Sequence, residues 1–131
     1  MYVLDTNTLI YFFRDEGKVA ERLLSESPSN IAIPVIVLYE LRVGIFKSKT
    51  PEGLERRLED LRNTVTVLGF GEREAESAAE IRACLEKKGT PIGPYDILIA
   101  GISLTYGGIL VTRNIGEFGR IENLRIEDWY A

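Results

Sequence analysis

The chain alternates short apolar runs with segments of helical period, and this alternation restricts its fold more than any other feature. Met1-Tyr2-Val3-Leu4, Ile31-Ala32-Ile33, Val65-Thr66-Val67-Leu68 and Ile109-Leu110-Val111-Thr112 have the length and side chains of strands. Leu124-Arg125-Ile126 is a fifth, weaker candidate. Between them apolar residues recur every three or four positions. Leu9, Ile10, Phe12 and Phe13 form one such stripe, Leu54, Leu58 and Leu61 another, and Ala75, Ala78, Ile81 and Leu85 a third. Further helices are expected near 18–25, over 35–47 behind Pro34, and over 95–106 before Gly107-Gly108. Strands joined through helices imply a parallel sheet with right-handed crossovers. The expectation is an α/β fold of one domain spanning 1–131. Ligands of open parallel sheets gather beyond the carboxyl ends of the strands. Asp5 and Arg113-Asn114 directly follow two of the strands, so both should fall on that edge.

Composition narrows the chemistry. Twenty acidic residues against sixteen basic ones give a net charge of −4, which argues against a partner gripped by a broad basic surface. Nucleic acid is still compatible, because a divalent cation bound among acids reverses the field that a phosphate meets. The chain has no histidine. That removes Ser–His and Cys–His triads, histidine general bases and histidine-ligated zinc together. Hydrolysis here must rely on carboxylates, hydroxyls, basic side chains and metal. The lone Cys84 excludes an intramolecular disulfide. With no apolar run of spanning length and no leader-like start, a cytoplasmic setting without membrane contact is expected.

Three acids stand apart from the dense charge clusters of the surface. Asp5 is the one charged residue between Met1 and Phe13, Glu40 between Ser27 and Leu41, and Asp96 between Gly89 and Thr112. An ionised carboxylate among apolar neighbours costs several kcal/mol unless it is paired or bound to metal. Few cations are nearby. Arg42 lies on a different helical face from Glu40, and Arg113 is the one cation expected at the same sheet edge. Acids gathered without matching bases are what a hard divalent cation stabilises through oxygen ligands. Glu117, one helical turn beyond Asn114, is a fourth candidate. Each acid also has a plainer explanation. Asp5 and Asp96 could be helix caps, Glu40 half of a buried ion pair, and Glu117 a solvated turn residue.

The series Leu4-Asp5-Thr6-Asn7, Tyr39-Glu40-Leu41, Gly93-Pro94-Tyr95-Asp96 and Val111-Thr112-Arg113-Asn114, followed by Glu117-Phe118, resembles the PIN domain of VapC-type toxins. The likeness runs to the closing Arg125-Ile126-Glu127-Asp128-Trp129. It implies a three-layer fold, a central parallel sheet of four to five strands flanked by helices. It implies that Asp5, Glu40 and Asp96 are metal-binding acids, supported by Thr6, Asn7 and Thr112. Many relatives carry an aspartate at or near 114, where this chain has Asn114, and Glu117 would replace that carboxylate. One or two Mg²⁺ or Mn²⁺ ions would serve hydrolysis of RNA phosphodiester bonds, with Asp5, Glu40, Asp96 and Glu117 catalytic and Arg113 on the substrate. Arg14, Lys18 and Lys47 are further candidates for holding the RNA backbone. The expected partners are an antitoxin of VapB type and a second copy of the chain, in a homodimer or a toxin–antitoxin hetero-oligomer. Leu9, Phe12 and Phe13 could line the antitoxin groove, although their spacing equally fits the core.

Two rivals remain. A haloacid-dehalogenase-like phosphatase also begins with an aspartate after its first strand, but its Asp-x-Asp-x-Thr pattern meets Asn7 here and lacks the proton donor. A PIN-like module that binds RNA or protein without cutting is the non-enzymatic alternative.

Overall fold

The structure is a computed structural model describing residues 1–131. In chain order it contains β1 (Tyr2–Leu4), α1 (Thr6–Phe13), α2 (Val19–Leu24), β2 (Ile31–Pro34), α3 (Val35–Lys47), α4 (Glu52–Thr64), β3 (Thr66–Leu68), α5 (Glu72–Lys87), α6 (Pro94–Thr105), β4 (Ile109–Val111), α7 (Ile115–Phe118) and β5 (Arg125–Glu127). All four strand pairings are parallel, in the order β3-β2-β1-β4-β5. The expected α/β architecture is present, with five strands flanked by helices.

The strands are short because their ends are cut by local chemistry. β1 stops where Asp5 begins capping α1, and β4 stops one residue before its expected end, where the Thr112 hydroxyl accepts from the Asn114 backbone N–H at 3.0 Å. β5 starts one residue later than expected, after the left-handed turn at Asn123 (φ 67°). α7 is a single turn that the apolar pattern did not mark as an element.

Central strands covered on both faces should be apolar at every position rather than alternating. Val3, Leu4, Ala32, Ile33, Leu110 and Val111 are all fully buried. Leu9 joins them, so it belongs to the core and not to a surface groove. Helices α5 and α6 pack close enough that a Cβ on Gly101 would stand 2.8 Å from Cβ of Ala78. That approach fixes α6, and with it Asp96 in its first turn.

The strand order reverses beside β1. The chain winds outward through β2 and β3, then crosses back to lay β4 on the other flank of β1. Such a switch point leaves a crevice outside the carboxyl ends of the two strands, because their connections leave in opposite directions. Asp5 and Thr112 sit on its two lips.

Candidate functional site

Asp5 ends β1 and caps α1, with Oδ1 accepting from the Thr8 backbone N–H at 2.8 Å. It is only 5% exposed. Burial pushes its carboxyl above the ordinary carboxylate range, hydrogen bonds from Thr112 and from Thr8 pull it back, and the charge of Glu40 raises it again. The Thr8 hydroxyl ties α1 to the neighbouring strand by donating to the Val111 carbonyl at 3.0 Å. Capping is thus one of Asp5's tasks. A cap uses one carboxylate oxygen, and a surface acid would serve as well.

Glu40 projects from the middle of α3 and accepts from the Thr6 hydroxyl at 2.7 Å. Thr6 therefore bonds one of the acids it is expected to support. Asp96 stands in the first turn of α6, where the helix dipole favours a negative charge. Its carboxyl is nonetheless pushed up to about 6, first by burial and then by the charges of Asp5, Glu40 and Glu117. Glu117, on α7, receives the Asn114 side-chain amide at 2.9 Å. Asn114 thus stands beside the carboxylate expected to replace an acid at its own position. Asn7 makes no side-chain hydrogen bond.

The four acids influence one another across the crevice, and none enters an ion pair. Every salt bridge of the protein lies elsewhere, involving Glu55, Glu59, Glu86, Glu122 or Glu127. The buried-ion-pair explanation of Glu40 is excluded on that ground. The acids nevertheless do not form a closed cage, since no three carboxylates are close enough to ligate one ion as they stand. Mutual repulsion between un-neutralised charges opposes closer approach. The donor set consists of hard carboxylate oxygens with threonine hydroxyls and an asparagine amide around them. It fits a divalent cation of the magnesium type and suits neither zinc nor copper.

Two features escaped the sequence reading. Tyr39 and Tyr95 each precede a site acid, and their hydroxyls lie 3.2 Å apart on the exposed rim. The Tyr95 phenol is raised by that bond and by the nearby charges of Tyr39 and Glu40. The other is the seat of Arg113, whose guanidinium lies over the ring of Tyr130, 3.6 Å from its centroid. Adjacency to Asp96 and Glu40 was the only signal for the tyrosines, and nothing local signalled Tyr130. Beyond the acids, Phe12 and Phe13 border an apolar groove with Leu23, Leu61 and Val65. Arg57 covers both rings, and a second groove sharing Phe13 and Arg57 reaches Glu40.

A parallel sheet whose switch point gathers unpaired acids is the frame of a nuclease-like α/β domain. The PIN domain profile matches residues 2–124. The chain belongs to the PIN-domain family, and it is similar over nearly its whole length to VapC ribonucleases. It is 38% identical over 128 residues to the tRNA(fMet)-specific endonuclease VapC of Salmonella typhimurium, covering 98% of this chain and 97% of that one. It is 37% identical to ribonuclease VapC2 of Rickettsia felis, with 98% of each chain covered. Among solved structures, VapBC2 of Rickettsia felis bound to a promoter DNA fragment superposes with a TM-score of 0.90 at 35% identity, covering 98% of both chains. DNA-bound VapBC of Salmonella typhimurium gives 0.90 at 40% identity, covering 98% and 97%. The family assignment sets the phosphatase rival aside.

Proposed function

We propose that this chain is an endoribonuclease of the VapC type, the toxin of a toxin–antitoxin pair, hydrolysing RNA phosphodiester bonds at the crevice between β1 and β4. The observation that carries the reading is the set of four facing acids without a single cation partner. Asp5, Asp96, Glu40 and Glu117 would hold one or two Mg²⁺ or Mn²⁺ ions. When bound, such an ion supplies positive charge to the phosphate oxygens and lowers the pKa of water.

The chain's own groups do the rest. Thr8 and Thr112 fix Asp5, so one of its oxygens is directed by the backbone and hydroxyl bonds it accepts. Glu40 Oε1 is engaged by Thr6, which leaves Oε2 to take the proton of an attacking water. Asn114 engages Oε2 of Glu117 and so orients its other oxygen. Arg113, at the exit of β4, offers its guanidinium to RNA phosphate.

The chain acts as one domain over 1–131, in the cytoplasm, and no helix in it is long and apolar enough to cross a membrane. The solved relatives are VapBC assemblies, and a VapB-type antitoxin would lay an apolar segment along the Phe12–Phe13 groove, from which the neighbouring groove reaches Glu40. An exposed stripe on α3 of Val35, Tyr39, Val43 and Phe46 supports association with a second copy. The test is cleavage of single-stranded RNA in Mg²⁺ or Mn²⁺, with excess EDTA as the control. Loss of cleavage in EDTA supports the reading; full activity there rejects it.

A further inference from the structure

Most arginines of this chain are already engaged. Arg22, Arg42 and Arg62 reach carboxylates at 2.8 to 3.4 Å, while Arg57, Arg120 and Arg125 donate to backbone carbonyls. Arg14, Arg56, Arg73 and Arg113 are not engaged, and of these four Arg113 alone rests on an aromatic ring. It is exposed, one residue from Thr112 and four from Glu117, yet it makes no salt bridge and no hydrogen bond. Its guanidinium pairs with none of the four acids of the crevice. It lies instead over Tyr130, at a separation typical of direct stacking, so its N–H edges remain unused.

The seat beneath it is built rather than incidental. The Tyr130 carbonyl accepts from the Lys18 backbone N–H at 2.9 Å, and its own N–H donates to Asp128 Oδ1 at 2.8 Å. Tyr11 meets the ring edge-on at 4.9 Å between centroids. Trp129, 1% exposed, anchors the preceding residue in the core. Gly17 completes the seat: at φ +60° it adopts a backbone that favours glycine, and a Cβ there would stand 2.6 Å from the Tyr130 carbonyl oxygen.

We propose that Arg113, seated over the ring of Tyr130, is a subsite for a backbone phosphate of the RNA strand other than the scissile one, with Tyr130 as its positioning residue. The inference rests on the nuclease reading for its location and on the stacking geometry for its chemistry. A guanidinium whose N–H fork is free matches two phosphate oxygens at once. Stacking on tyrosine lowers the ordering cost of a side chain that is otherwise among the most flexible.

The experiment measures binding of fluorescein-labelled single-stranded RNA to the full chain by anisotropy, in Mg²⁺ and in an Asp96→Asn background that prevents turnover. Salt is varied from about 50 to about 200 mM. Arg113→Ala should weaken binding about tenfold and reduce the slope of log K against log salt by about 0.7, the value for one phosphate contact on a single strand. Tyr130→Ala should weaken binding severalfold, Tyr130→Phe should match the parent, and Tyr130→Ala should add nothing once Arg113 is alanine. Arg113→Lys should fall between the parent and alanine. Circular dichroism confirms folding, and the phenylalanine and lysine variants carry the test if an alanine variant unfolds. An unchanged salt slope in Arg113→Ala, or an equal Tyr130→Ala effect with and without Arg113, overturns the subsite. So does a lost antitoxin contact with RNA binding intact. Absence of RNA cleavage by the wild type, with this binding pattern intact, would sink the nuclease reading and leave the subsite standing.

Discussion

The crevice and the α3–α4 face both carry acids, and they treat them in opposite ways. On the α3–α4 face, Arg42 reaches Glu55 at 3.4 Å and Glu59 at 2.9 Å, and Arg62 reaches Glu59 at 2.8 Å. The Arg62 hydrogen bond, then charge from Arg62 and Arg42, holds the Glu59 carboxyl below its ordinary value. In the crevice the neighbours of Asp96 are other acids, and its carboxyl rises to about 6. Charges on the α3–α4 face are arranged to satisfy one another in water. Those in the crevice are arranged for something that arrives from outside, and folding alone does not stabilise them.

The largest break in that contrast should come from neutralising the crevice. Asp5→Asn or Asp96→Asn should lower Mg²⁺- or Mn²⁺-dependent RNA cleavage by about 100-fold or more, on the scale of losing a charge partner in the transition state. Glu59→Gln should leave the rate unchanged. Glu117→Gln should cost about tenfold, because Glu117 stands on the single-turn α7 and is tied to Asn114. Turnover of a defined RNA by each variant, with circular dichroism for the fold, measures all of these.

Thermal stability sharpens the same contrast. Ion at about 100 times its dissociation constant should raise the melting temperature of the wild type on the order of 10 °C, and EDTA should reverse this. Asp96→Asn should lose most of the rise. In metal-free protein, Asp96 binds its proton more tightly folded than unfolded, since its value moves from 3.8 to about 6. Its contribution favours the fold at low pH and is lost as pH climbs through that window, with no further change above it. Melting of wild type and Asp96→Asn in EDTA should therefore diverge between about pH 4 and about pH 6, the asparagine variant being the more stable at neutral pH. The smallest effect belongs to the α3–α4 face. Arg42→Ala should cost at most about 1 kcal/mol and leave cleavage intact, as expected for an exposed pair.

Much of this was readable from the chain. Helix α3 runs from Val35 to Lys47 as its pattern predicts, because Pro34 marks a start that needs no N–H and the apolar stripe continues unbroken. The isolation of Asp5, Glu40 and Asp96 along the sequence anticipated their lack of partners in space, since a local cation is the commonest partner and none was available. Distances across the crevice were not readable. They depend on α6 docking through Gly101 and on the strand reversal beside β1. The Arg113–Tyr130 stack was equally hidden, because the two residues are brought together only by the pairing of β4 with β5 and the return of the last residues to Gly17.

Uptake of Mn²⁺ by the metal-free protein, followed through the electron paramagnetic resonance of the free ion, tests most directly whether those acids are an ion site. The wild type should bind Mn²⁺ saturably, while Asp5→Asn and Asp96→Asn should lose that uptake and keep their fold. Undiminished uptake in both folded variants would contradict the account.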